Sequence, residues 1–260
     1  MSTRTRTRVT GERVSTFANG FNPTWQRHVA AYSLCASLLP AGRVLDVGCG
    51  VGHSFELLAP RETVGVDLDP SALAGQRRET RVADMRELPF DDGSFAAVLS
   101  VQSLEHVPDP QRAVVEARRV LRPGGVAVFV TPNRLTFGRP DEVVDPYHYV
   151  EFSASELREL CEAAFSVVEL QGIFGSNRYL QLVEEEKGDL ERVLRRDPLR
   201  LRRFVPRKVR QALYDNALRR RRTKSNPPAA AIDVADFELR QGTLDEALDL
   251  VAICHPPSSR

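Results

Sequence analysis

Two sets of residues in this 260-residue chain combine types that do chemistry. The first is Asp46-Val47-Gly48-Cys49-Gly50-Val51-Gly52, an acid followed by three alternating glycines. A turn built this way has no side chains to keep a ligand off the backbone, and the free N–H groups of a helix that follows it suit negative charge. The second is a set of proton acceptors: Glu105-His106, and His148 set between Tyr147 and Tyr149. An imidazole with a pKa of about 6.5 can take a hydroxyl proton at neutral pH. Of the two histidines, His148 is the preferred general base, in an aromatic loop; His106 is its rival, with Glu105 beside it.

The glycine turn narrows the ligand. A dinucleotide fingerprint, G-x-G-x-x-G, needs its third glycine one position later, where His53 stands. Asp46 would repel a pyrophosphate but suit a ligand carrying an ammonium and a sulfonium. Both features point away from NAD and toward S-adenosylmethionine.

The elements that must position these residues can be read in order. Val44, Leu45 and Val47 mark a buried strand, and helical patterning follows at Ser54–Leu58. Thr63–Asp67 is the next strand, ending in an acid seventeen positions beyond Gly50. In a doubly wound sheet that end lies beside the glycine turn, so Asp67, with Leu68 next to it, is placed to accept ribose hydroxyls. Asp69-Pro70 is the rival acid and reads better as a helix cap. Phe95–Ser100 and Val126–Val130 are further strands, with helices expected at Ser71–Arg77 and Pro110–Leu121, and the run Arg81–Met85 lies between the second strand and these. A leading helix from Asn22 to Leu39 precedes them all, and its Trp25, with Phe17 and Phe21, is a candidate lid. Ser153 and Glu156 form a capping box for a helix to Ala164. Phe165–Leu170 and Leu248–Cys254 read as the last two strands. The alternation of strand and helix predicts an α/β fold.

Taken together, Asp46–Gly52, Asp67, Asp84-Met85, Val101-Gln102 and Leu121–Gly125 stand in the order and spacing of a known family. The sequence resembles the class I S-adenosylmethionine-dependent methyltransferases, type 11 group. The resemblance implies a Rossmann-like, doubly wound sheet of seven strands, six parallel and one antiparallel, with helices on both faces. It implies cofactor contacts from Asp46, Gly48, Cys49, Gly50, Gly52, Asp67, Leu68 and Gln102, and an adenine contact from Asp84, with Met85 beside it. A narrower likeness rests on Thr10–Arg13, Arg27-His28, Glu105-His106, Thr131–Phe137, Asp145–His148, Asp236–Glu238 and Leu244–Ile253. These runs resemble sugar O-methyltransferases of polymethylated polysaccharide biosynthesis. That likeness implies a small-molecule acceptor such as a sugar. It also allows a divalent metal such as Mg, for which Glu105, His106 and His148 are the candidates.

Composition bounds the rest. The chain is 42% hydrophobic with a formal net charge of +1, enough for one good core and without a strong overall field. Its 4 cysteines, Cys35, Cys49, Cys161 and Cys254, show no zinc spacing and read as reduced thiols, which with the absent secretory signal suggests the cytoplasm. No run of about 18 apolar residues predicts a membrane span. The charge is unevenly spread: from Arg192 to Lys224, fourteen basic residues stand against Asp197 and Asp215. The expected organisation is a tail at 1–21, a core at 22–174, a basic helical insertion at 175–246 and a last strand at 247–260. The insertion is expected to serve as lid, substrate contact or oligomer contact, in a monomer or homodimer. It also keeps two other functions open: an RNA methyltransferase using the arginines as phosphate contacts, and a non-catalytic cofactor-binding module that docks a partner.

Overall fold

The computed structural model describes residues 23–52, 54–137, 143, 145–195, 197, 200–222 and 227–257. The expected tail, Phe17, Phe21, His53 and the Thr10–Arg13 run lie outside them.

Among the described residues eight strands form one sheet: β1 (Val44–Val47), β2 (Thr63–Asp67), β3 (Thr80–Val82), β4 (Phe95–Val101), β5 (Leu121–Pro132), β6 (Val167–Gly175), β7 (Phe237–Arg240) and β8 (Asp249–His255). Their order across the sheet is β3-β2-β1-β4-β5-β8-β6-β7. Strands β1 to β5 pair in parallel, and β8 lies antiparallel between β5 and β6. The expected α/β class holds, but the strand count is corrected from seven to eight. The added strand, β7, pairs antiparallel with β6 at the sheet edge, so two strands rather than one run against the rest. Its sequence, Phe-Glu-Leu-Arg, does alternate with period two; at four residues the signal is too short to separate from a loop.

Nine helices accompany the sheet among the described residues: α1 (Pro23–Ala36), α2 (Ser54–Leu57), α3 (Pro70–Leu73), α4 (Pro110–Val120), α5 (Arg134–Phe137), α6 (Ala154–Glu162), α7 (Asn177–Leu194), α8 (Arg207–Arg222) and α9 (Pro227–Ala230). Their starts follow local chemistry. The Asp69 side chain caps α3, with Pro70 at its first position, and Asp109 caps α4 in the same way. Ser153 and Glu156 make the full capping box of α6. Helix α3 is shorter than expected and gives way to Gly75 at φ +80°.

Alternate residues of each central strand feed two cores. Leu45, Val98 and Ala127 face α4 and α6 through Val114, Val120 and Leu157. Val44, Ala97 and Val128 face α1 through Ala30, Tyr32 and Cys35. Burying each such valine or leucine contributes about 1.5–3 kcal/mol. Tyr179, Leu182, Ala229, Ile232 and Phe237 also belong to this second core. The boundary drawn at residue 175 is therefore not a packing boundary. All four cysteines are free and buried, and no helix among the described residues is long and apolar enough to cross a membrane.

Candidate active site

The chain leaves β1 for β2 and β3 on one side of the sheet, then returns to β4 and β5 on the other. The carboxyl ends of β1 and β4 therefore flank a switch point, the place where open α/β sheets bind ligands. Gly48 and Gly50 lie here with φ of +74° and +52°, conformations that suit glycine. A Cβ on Gly48 would meet Ser103 Oγ at 2.2 Å, so the segment just after β4 closes over that side of the turn. A Cβ on Gly50 would meet nothing within 4 Å, so the turn opens there. Gln76 braces it from below, its Nε2 donating to Gly50 O at 2.8 Å. Sequence reasoning missed Gln76, which carries no motif.

Asp67 lies beside the turn. Its Oδ2 accepts from the Gly50 N–H and its Oδ1 from the Asp69 N–H, both at 2.9 Å. Each oxygen keeps a second lone pair, so the carboxylate retains capacity for hydroxyl donors. Leu68, next along, is 69% exposed. Asp84 and Met85 follow β3, half-buried. The Asp84 carboxylate is held below the usual range by its hydrogen bonds with Arg86, whose Nε and NH2 groups donate at 3.0 and 2.6 Å.

Asp46 departs from expectation. Its carboxylate is fully buried and accepts from Tyr32 Oη at 2.9 Å, Arg78 at 2.9 Å and the Ser54 hydroxyl. In this structure its partners are internal. An unpaired buried charge would be costly, and these three partners, drawn from α1, α2 and the segment after α3, satisfy it under the turn. The Cys49 side chain is likewise turned inward, with burial pushing its thiol up to about 12, so only its backbone can face the cleft.

Gln102 sits at the end of β4 with φ +49°, a left-handed conformation unusual for a non-glycine residue. Its Nε2 donates to Asp249 Oδ1 at 3.0 Å, and its Oε1 lies 3.3 Å from His28 Nδ1. Asp249 is also gripped by Arg27, at 2.7 and 2.5 Å. Arg27 and His28, on α1, thus brace the inner wall.

The second set of residues converges past β4 and β5. Glu105 and His106 form a short 3-10 turn after β4, and His148 arrives on the loop after α5. The backbone joins them, with Tyr149 N–H donating to Glu105 O at 2.8 Å. The two imidazole centroids lie 4.9 Å apart. His148 Nδ1 is 2.8 Å from Glu151 Oε1, and His106 Nδ1 is 3.2 Å from Tyr147 O. Carboxylates and carbonyls accept, so both Nδ1 atoms carry protons, and the lone pair of each neutral ring sits on Nε2. Glu151 was not foreseen; its only signal was a carboxylate three residues after His148.

The electrostatics separate these groups. Burial alone would lower the His148 pKa, but Glu151, Glu105 and Asp145 together raise it. His106, buried and next to His148, is lowered to about 4. Burial raises Glu105 to about 7. Both Glu105 carboxylate oxygens and Glu151 Oε2 are buried without a hydrogen-bond partner among the described residues. Buried polar atoms without partners are rare, and they mark strain, a catalytic role, or an ordered water or ion. Ligand atoms of Glu105, His106 and His148 come within 4.8 Å of one another, near enough for one cation. Two imidazoles and one carboxylate do not match Mg, which prefers oxygen ligands.

Helix α8 covers the loop that carries His148. Arg207 Nε and NH2 donate to Pro146 O and Tyr147 O at 2.8 and 2.7 Å. The Tyr147 hydroxyl lies 2.8 Å from both Asp215 carboxylate oxygens.

Comparison with known proteins agrees with this geometry. Residues 45–129 match the family described as Methyltransferase domain. A "Probable S-adenosylmethionine-dependent methyltransferase" of Mycolicibacterium smegmatis is 34% identical, over 96% of this chain and 95% of its own length. A protein of the same description from Mycobacterium tuberculosis (strain ATCC 25618 / H37Rv) is 32% identical, over 96% and 89%. Among solved structures, a SAM-dependent methyltransferase from Thermotoga maritima superposes with a TM-score of 0.58 at 20% identity, covering 89% of this chain and 91% of that one. The [4+2]-cyclase SpnF gives 0.56 at 19%, covering 90% and 82%. These two structures show the shared fold. With the glycine turn open at Gly50, Asp67 beside it and full-length relatives of one description, the chain belongs to the class I S-adenosylmethionine-dependent methyltransferases, and S-adenosylmethionine is its cofactor.

Proposed function

We propose that this enzyme methylates a hydroxyl of a sugar or similar small polyol, with His148 as general base. The observation that carries this reading is the set of buried carboxylate oxygens without partners on Glu105 and Glu151, next to a histidine whose Nδ1–H is held by a carboxylate. A polyol brings several O–H donors into such a site, and each hydroxyl is also a nucleophile that needs a base. The narrow resemblance to sugar O-methyltransferases supports the same class.

S-adenosylmethionine supplies an electrophilic methyl group whose sulfur leaves as a neutral thioether. The protein's part is to bind, position and deprotonate. Asp67 takes the ribose hydroxyls, the backbone from Gly48 to Gly52 lies along the amino-acid portion, and Asp84, Met85 and Leu68 border the adenine. Gln102, fixed by Asp249, forms the wall between the cofactor and acceptor sides. His148 Nε2 removes the acceptor proton, and Glu151 stabilises the imidazolium that results. His106, neutral at physiological pH, and Glu105 orient the acceptor.

The test is transfer of labelled methyl from S-adenosylmethionine to neutral mono- and disaccharides, run beside tRNA and primary amines. Label in a sugar ether is the expected result. Label confined to RNA or to nitrogen would overturn the reading.

A further inference from the structure

The basic insertion contributes more than charge. Arg207, Gln211 and Asp215 recur every four residues, so they line one face of α8. That face meets the loop around His148. The Arg207 guanidinium spans two successive carbonyls, Pro146 O and Tyr147 O, and lies 3.7 Å from the centroid of the Tyr149 ring. Gln211 donates to Pro146 O at 3.2 Å, and Asp215, itself buried, accepts from the Tyr147 hydroxyl. One helix face thus holds residues on both sides of His148 in the chain.

The Tyr147 carbonyl links this clamp to the histidines. A carbonyl oxygen offers two lone pairs and cannot donate. Tyr147 O accepts from Arg207 NH2 at 2.7 Å and faces His106 Nδ1 at 3.2 Å. While Tyr147 O stays within reach of the ring, the proton of neutral His106 is held on Nδ1 and its lone pair on Nε2, and Arg207 keeps that oxygen in place. We propose that Arg207 is a positioning residue of the acceptor site: it fixes the Tyr147 carbonyl, and through it the tautomer of His106 and the placement of His148, with Asp215 securing the far end of Tyr147. Lysine is a poor replacement, because a compact ammonium lacks the rigid planar fork that lies on the ring while its edge meets both carbonyls. The effect on turnover rests on the acceptor-site reading above; the effect on the His106 ring does not.

The experiment uses full-length protein with 15N-labelled histidine, saturated with S-adenosylhomocysteine. Long-range proton–nitrogen spectra report which ring nitrogen carries the proton. The wild-type protein should show His106 in the single Nδ1–H form. Arg207→Ala should give a mixture of tautomers, while affinity for S-adenosylhomocysteine stays within about threefold, as fits a residue outside the nucleotide contacts. Arg207→Lys should behave like Arg207→Ala, and millimolar guanidinium should restore the single form to Arg207→Ala. With a sugar acceptor, kcat should fall roughly tenfold to a hundredfold, the scale of a small misplacement of reacting groups. Should Arg207→Ala fail to fold, Tyr147→Phe removes only the hydroxyl that Asp215 holds and should lower kcat in the same direction, by less. A single Nδ1–H form with full turnover in Arg207→Ala, or in Arg207→Lys if only that variant folds, overturns the proposal. If His148→Ala keeps full turnover while Arg207→Ala still scrambles the His106 ring, the general-base reading fails and the positioning role stands.

Discussion

The two halves of the cleft are built in different ways. On the cofactor side, Gly48, Gly50 and Asp67 fall within twenty residues of chain, on one β-α-β unit whose two strands pair directly. On the side proposed for the acceptor, Glu105-His106, Tyr147–Glu151 and Arg207–Asp215 come from three segments that meet only in space. The first half is mostly backbone, shaped by glycine torsions and N–H groups. The second is mostly side chains, several of them buried, charged and shifted in pKa. A site made of backbone on one unit suits a constant ligand, whereas a site assembled across segments can change its acceptor by altering any one of them.

That contrast predicts separable defects, and the largest is on the acceptor side. His148→Ala should lower kcat about a hundredfold to ten-thousandfold, the usual worth of a general base, with S-adenosylmethionine affinity within about threefold. The control is His106→Ala; if it abolishes turnover and His148→Ala does not, the two roles are exchanged.

On the cofactor side, Asp67→Ala should weaken S-adenosylhomocysteine by about 1.5–3 kcal/mol, tenfold to a hundredfold, by calorimetry. Turnover at saturating S-adenosylmethionine should barely change. An unaltered affinity in a folded variant would remove Asp67 from the cofactor site.

The pH profile sharpens the division further. A base works in its neutral form, and the pKa of His148 lies above 6.5. Turnover should therefore rise with pH through an inflection above 6.5. Glu151→Gln, which removes a group that raises this pKa, should move the inflection to lower pH. Cofactor affinity should show no such movement, and a profile flat from pH 5.5 to 8.5 would count against His148.

The smallest effect is expected far along α8. Replacing Arg219 to Arg222 with glutamine should leave cofactor affinity within about twofold, since the nucleotide contacts lie elsewhere. A collapse of binding in a folded variant would join that segment to the pocket and erase the comparison.

The sequence alone determined the glycine turn and the strands that flank it. Alternating glycines, an acid at the end of β2, and strand and helix periodicities are local signals, and local backbone physics carries them into the fold. The caps at Asp69 and Ser153 were legible for the same reason. Parts of the narrower pattern proved to bind the fold together: Asn133, in the Thr-Pro-Asn-Arg run, donates to Leu244 O and Ala247 O, both at 2.9 Å. The tertiary structure decided the rest. It turned Asp46 inward, because Tyr32, Ser54 and Arg78 converge on it from separate segments. It added β7 to the edge of β6, where pairing with a partner strand rather than propensity fixes four residues. It paired His148 with Glu151, raised Glu105 by burial and set α8 over the loop. Burial, long-range hydrogen bonds and the low dielectric they create exist only once distant segments meet, so no local pattern in the chain could record them.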